Sequence, residues 1–268
     1  MTSREPRTGA LPPAVGVDTL VVSFGRGAHA TTALNGVSLT LDVGRTMGIV
    51  GESGSGKTTL AKTIVGIVTP DSGRIEIDGL DRAAADRTER ATLRRTVQMI
   101  PQDPYSSFDP RRTVGHALGE AINPRRPRAR THEETIVRWL ERVRLPADTL
   151  HRYPHELSGG QRQRVAIARA LIVEPKLVVA DEITSALDVS VQAEVLDLVD
   201  TLRSELNLSM LFISHNLAVV QRVSDEVLVL LRGEVVEFGP VDRVFEAPSA
   251  PYTRQLLDAV PGAPGFTL

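Results

Sequence analysis

The stretch Gly51-Glu52-Ser53-Gly54-Ser55-Gly56-Lys57-Thr58 restricts this chain more than any other part of it. An apolar run, Met47-Gly48-Ile49-Val50, precedes it, and a helix-compatible segment from Thr59 to Val68 follows. A strand, a glycine turn and a helix in that order make a cradle for a polyphosphate. Without Cβ atoms the turn can close successive N–H groups around the anion, and the helix N-terminus adds its partial positive charge. In such a loop Gly51, Ser53, Gly54, Ser55, Gly56 and Thr59 are the expected nucleotide contacts. Lys57 is expected to reach the β- and γ-phosphates, and Thr58 to hold Mg2+ through its hydroxyl. A glycine-rich turn before an ordinary helix is the plainer alternative, and the flanking strand and helix argue against it.

With 268 residues, 41% of them hydrophobic, the chain can bury a large core as one domain or one domain plus a lobe. A net charge of -2 gives no global pull toward nucleic acid or anionic lipid. The absence of cysteine excludes disulfides, zinc-thiolate sites, iron–sulfur clusters and a thiol nucleophile, and it suits a reducing compartment. No apolar run approaches the ~20 residues needed to span a bilayer. Residues 1–13 carry basic side chains with no apolar stretch behind them, so they are expected to form a disordered tail and not a secretory signal.

Alternation predicts strands over Val15 to Val22 and Val37 to Leu41, with Asn35-Gly36 as a turn between segments. Further strands are expected at Arg74 to Ile77, ended by a turn at Asp78-Gly79, and at Val97 to Ile100. From Asp103 to about Ala168 the character is helical, with helical spacing clearest over Glu133 to Val143, and this reads as an insertion splitting the core. Leu177-Val178-Val179-Ala180 is continuously apolar, as in a strand covered on both faces. A helix from about Ser190 to Leu206, a strand Met210 to Ile213 and a hairpin pairing Val227 to Leu231 with Val235 to Phe238 complete the core. Strands alternating with helices imply a parallel sheet with right-handed crossovers.

The apolar strand at Leu177 ends in Asp181-Glu182. After a glycine cradle, Asp181 is placed to reach the shell of the metal and Glu182 to polarise a water for in-line attack on the γ-phosphate. Leu157-Ser158-Gly159-Gly160-Gln161 opens a helix running to Ile172, with Ser158 as N-cap and two glycines that admit an anion. Taken singly, such strings have plainer readings: a solvated acidic pair, or a capped helix.

Together and in this order they resemble the ATP-binding-cassette (ABC) ATPases. Leu157 to Gln161 matches the signature motif of that family, Gln102 its glutamine loop, Ser185-Ala186-Leu187-Asp188 its aspartate turn and His215 its histidine loop. The resemblance implies a P-loop NTPase (RecA-like) parallel-sheet core over residues 14–247, an antiparallel β subdomain, an inserted helical subdomain at about 103–168 and a short C-terminal extension, 248–268. It also implies catalytic roles for Glu182, His215 and Gln102, metal contacts for Thr58, Gln102 and Asp181, and adenine stacking on Phe24. Leu157, Ser158, Gly159, Gly160 and Gln161 would complete the ATP site of a second cassette, with Asp188 at the shared interface.

Three strings are similar to the importers for oligopeptides, dipeptides and nickel: Gln102 to Arg111, Ser185 to Gln192, and Pro251-Tyr252-Thr253-Arg254, a candidate docking element. The implied partners are a second ATP-binding subunit (identical or paralogous), transmembrane permeases and, indirectly, a solute-binding protein, at the cytoplasmic face of a membrane. Ile183 stands where that subfamily usually has proline, a departure expected to loosen the turn carrying Glu182, and Pro101 stands where an aromatic residue is common. Two other readings stay open at this level. One is a mechanical clamp on nucleic acid or the ribosome, for which the basic cluster Arg125 to Arg130 is the relevant feature, although prolines interrupt it and no aromatics interleave to stack bases. The other is a regulatory subunit without turnover, against which the intact Glu182 argues.

Overall fold

A computed structural model of the chain describes residues 12–25, 30–105, 107–185 and 187–259. The tail expected over 1–13 lies outside the described residues as far as position 11, as do Ser106, Ala186 and the last nine positions of the C-terminal extension.

Two sheets carry the fold. The smaller is antiparallel and contains β1 (Val15–Phe24), β2 (Thr31–Leu41), β4 (Ser72–Ile77) and β5 (Leu80–Asp81) in the order β2-β1-β4-β5. Within it, Asn35-Gly36 is not the expected turn. β2 runs straight through, and two of its residues, Asn35 and Gly36, face the single Val21 of β1 between the Leu20–Val37 and Val22–Leu34 pairs. Gly36 takes φ +70 there, and the Asn35 side chain donates to Glu234 at 2.6 Å, so the dipeptide builds a bulge that ties the two sheets together.

The larger sheet contains β3 (Thr46–Val50), β6 (Val97–Ile100), β7 (Leu177–Asp181), β8 (Ser209–Ile213), β9 (Glu226–Leu231) and β10 (Glu234–Pro240), ordered β10-β9-β3-β8-β7-β6. All neighbours are parallel except the β9–β10 hairpin at the edge. Alternate residues feed two separate cores. Leu177, Val179, Leu211 and Ile213 pack with the smaller sheet and α1 (Lys57–Val65), whereas Val178, Ala180, Met210 and Phe212 pack with the helices on the opposite face. Every residue of β7 and β8 is therefore buried, which is why these strands read as unbroken apolar runs.

α1 starts two residues before the expected Thr59, with Gly56 itself as N-cap, and ends at Gly66 in the left-handed region, before the expected Val68. α2 (Arg87–Thr96) was not anticipated, although Asp86 and Glu89 form a complete capping box around its start. The helical insertion contains α3 (Val114–Ile122), α4 (Glu133–Arg142) and α5 (Gly159–Leu171), with short 3-10 turns between them. Then come α6 (Val189–Leu206), α7 (Leu217–Val223), α8 (Val241–Glu246) and α9 (Pro251–Asp258).

The parallel pairing has one consequence for function. Ile49 pairs with Ile213, Asp181 with Ile213, and Ala180 with Ile100, so β3, β8, β7 and β6 end level at one sheet edge. The segments that leave those ends (the glycine loop, His215, Glu182 and Gln102) line a common crevice.

Candidate active site

The glycine loop keeps its shape through close packing as much as through composition. A Cβ on Gly51, which has φ +149, would lie 2.1 Å from the Leu230 carbonyl oxygen. One on Gly56 would lie 2.6 Å from the Ala33 carbonyl oxygen. At both places the backbone itself blocks any larger residue. Lys57 is buried beneath the loop, and its ammonium donates to the carbonyls of Gly51 and Glu52, both at 2.8 Å. Burial lowers its pKa, and the carboxylates of Glu182 and Asp181 oppose that shift. The Ser55 hydroxyl is buried and has no hydrogen-bond partner among the described residues.

Across the crevice, Asp181 is 1% exposed at the last position of β7. Burial raises its pKa, while a hydrogen bond from the Thr58 hydroxyl, 3.4 Å away, works in the other direction. Glu182 adopts φ +48, a left-handed conformation unusual for a glutamate. Three bonds hold it there. Its N–H donates to the Ile213 carbonyl at 2.9 Å, and its own carbonyl accepts from the Ser185 N–H at 3.1 Å and the Ser185 hydroxyl at 2.9 Å. Ile183, next in line, is 2% exposed and anchors the turn in the core. Hydrogen bonds and an apolar anchor thus hold the turn at the place where the subfamily usually has proline.

The Glu182 carboxylate accepts from the Gln102 amide at 2.7 Å and lies 3.6 Å from His215 Nδ1. Gln102, Glu182 and His215 share a cavity of about 430 Å3 with Ser53, Gly54, Gly56, Lys57, Thr58 and Thr59. Ala33 of β2 joins the lining, a contribution from the smaller sheet that no motif marks. A glycine loop, an ammonium, a hydroxyl–carboxylate pair and a carboxylate beside an imidazole suit binding and cleavage of a phosphoanhydride.

Three elements of the expected site lie elsewhere. Phe24 ends β1 at 48% exposure, so it is not a core residue, and it does not line this cavity. Leu157 is buried, whereas Ser158 and Gly159 are exposed at the start of α5. Ser158 and Gln161 cap that helix reciprocally, and Gly160 sits so close to α6 that a Cβ would meet Val191 at 2.6 Å. Asp188 precedes α6 without a side-chain capping bond, beside Val189 at 85% exposure. No residue of the signature lines the cavity of its own chain.

Known proteins resemble this chain in sequence and in fold. The model of the family described as ABC transporter matches residues 34–185. The chain belongs to the ABC transporter family. The di/tripeptide transport ATP-binding protein DppF of Pseudomonas aeruginosa is 47% identical over 238 residues, covering 88% of this chain and 73% of that protein. The oligopeptide transport ATP-binding protein OppF of Escherichia coli is 46% identical over 231 residues, covering 85% of this chain and 69% of OppF. Among solved structures, the dimeric post-hydrolysis state of the cassette MJ0796 bound to ADP and Pi superimposes with a TM-score of 0.73 at 26% identity, covering 85% of this chain and 98% of that one. Clostridium perfringens cbiO1, part of the transporter complex cbiONQ, gives a TM-score of 0.75 at 28% identity over 88% of this chain and 92% of that chain. As an ABC ATPase, the chain shares its fold with cassettes that form dimers. Among the described residues no helix is long and apolar enough to cross a membrane.

Proposed function

We propose that this chain is the ATP-hydrolysing subunit that energises an importer of dipeptides or oligopeptides. The convergence of Lys57, Thr58, Gln102, Glu182 and His215 on one cavity beside buried Asp181 carries the enzymatic part of this reading. The names of the relatives that share almost half of its sequence support the peptide part. The triphosphate lies in the glycine loop, and Lys57 exchanges its two carbonyl partners for phosphate oxygens. Glu182 takes the proton from an attacking water, while Gln102 and His215 hold the carboxylate in place. Phe24, exposed at the end of β1, supplies a face for the base.

The hard oxygen donors Thr58 and Asp181, with Gln102 close by, fit Mg2+. When bound, the ion would supply positive charge that offsets the negative charge of the triphosphate.

The signature residues Ser158 and Gly160 close over the nucleotide of a second cassette, identical or paralogous, with Asp188 and exposed Val189 at that interface. A cleft of about 1090 Å3 between α2–β6 and α3–α5, lined by Arg94, Met99, Pro101, Ile122 and Arg169, receives a permease segment. It flanks the strand that leads to Gln102, so a shift there reaches the nucleotide. On this reading the chain sits peripherally on the cytoplasmic face of a membrane.

The test is uptake of labelled dipeptides and tripeptides by cells that lack this chain. Uptake returns with the native chain and stays absent with Lys57→Ala. Full uptake without the chain refutes the peptide assignment, and full rescue by Lys57→Ala refutes the ATP-driven mechanism.

A further inference from the structure

The peptide unit joining Gly51 to Glu52 is gripped at both ends. Its carbonyl accepts from the Lys57 ammonium at 2.8 Å, and its N–H donates to the Tyr252 hydroxyl at 3.0 Å. The first bond is temporary under the proposed mechanism, because Lys57 must turn its ammonium to the phosphates. The second comes from α9, two hundred residues further along the chain. That helix is itself anchored. Glu237 of β10 is 5% exposed, and its carboxylate accepts from the Ser249 N–H at 2.8 Å, the Ser249 hydroxyl at 2.7 Å and the Ala250 N–H at 3.1 Å, immediately before α9 begins. Tyr252, Leu256 and Leu257 pack their apolar parts against the helical-side core. A continuous strut therefore runs from the edge hairpin through α9 to the entrance of the glycine loop.

We propose that Tyr252 is a positioning residue for the nucleotide: its hydroxyl holds the Gly51–Glu52 peptide plane, so that the loop keeps its phosphate-ready shape when Lys57 lets go of it. The residue touches no reacting atom and acts through the loop backbone. Leu230 packs against the same stretch of backbone, its carbonyl oxygen 2.1 Å from where a Cβ on Gly51 would lie. The docking element foreseen at Pro251-Tyr252-Thr253 thus has its receptor inside the chain, at the active site.

This inference rests on the reading of the loop as the ATP cradle, and Tyr252→Phe tests it separately. The substitution keeps the ring and deletes one hydrogen bond. We expect the KM for Mg-ATP to rise about 3- to 10-fold with kcat within about 2-fold of native. The Glu52 amide should lose its hydrogen-exchange protection while α9 keeps its own. Glu237→Ala, which frees α9 from its anchor, should raise KM by a similar factor. The double variant should be no worse than the poorer single one, because both changes cut the same strut. A native KM for Tyr252→Phe, a fall in kcat at unchanged KM, or a Glu52 amide that stays protected would each overturn the proposal, as would multiplied effects in the double variant. Lys57→Ala separates the two levels. If it binds Mg-ATP as the native chain does, the cradle reading fails. If it abolishes binding while Tyr252→Phe is native, only the strut fails.

Discussion

Replacing Glu182 by glutamine removes a charge and almost nothing else. The side chain keeps its length, and an amide oxygen in place of Oε2 still accepts the 2.7 Å bond from Gln102. The left-handed backbone at φ +48 is held by main-chain and Ser185 bonds that the substitution does not touch. What disappears is a base able to take a proton, at 3.6 Å from His215 and on the wall facing Lys57 and Thr58. General-base catalysis is worth about 10²- to 10⁴-fold, or about 3–5 kcal/mol of barrier at roughly 1.4 kcal/mol per factor of ten. Phosphate release by Glu182→Gln should fall within that range. Binding should not weaken, since removing a negative charge near Lys57 and Asp181 favours an anionic ligand. ATP-loaded dimers should then accumulate in size-exclusion chromatography with Mg-ATP, because the step that reopens them is blocked. The assay is steady-state phosphate release beside calorimetric ATP titration. Hydrolysis within about threefold of native, with ATP binding intact, refutes the assignment of Glu182 as the group that handles the water.

Two further outcomes follow from the packing and the charges. Gly48→Ala places a Cβ 2.4 Å from Val220 and 2.7 Å from the Ser224 hydroxyl, where β3 lies against α7. With Val220 fully buried, the overpacking should lower unfolding free energy by about 1–3 kcal/mol, read as a lower urea midpoint at unchanged slope. Burial works against ionisation of Glu237, but the Ser249 and Ala250 bonds outweigh it and bring its pKa from 4.5 down to about 2. A depressed carboxylate stabilises the fold fully above pH 4.5 and loses that contribution as pH falls toward 2. The native chain should therefore exceed Glu237→Gln in stability by about 1–3 kcal/mol at pH 6, and the gap should close by pH 2 in paired denaturant titrations.

The chemistry of the site was legible because it is written in short local strings. A glycine octad marks a polyphosphate cradle by its own spacing, whereas the strand ending in Asp181-Glu182 and the serine-capped helix take their expected roles from the order of the strings and the family that order resembles. The continuous apolar runs at Leu177 and Met210 likewise announced strands buried on both faces, and the structure divides their alternate residues between two cores. Local pattern misled where long-range pairing overrode it. Asn35-Gly36 has turn chemistry, yet β1 and Glu234 hold it inside a strand as a bulge. Ile183 looked like a weak substitute for proline until its burial was seen. α2 was missed although its capping box was present, because the segment is too polar to show a hydrophobic period.

The sequence by itself determined the candidate groups, since phosphate, metal and water each call for particular side chains and each of these stands in a short recognisable string. Only the tertiary structure decided that four strand ends lie level, so that Gln102 meets Glu182 across eighty positions and Tyr252 reaches Glu52 across two hundred. The physical reason is that these contacts depend on sheet register and helix docking. Both are set by burial summed over the whole core, and no single window of residues contains that sum.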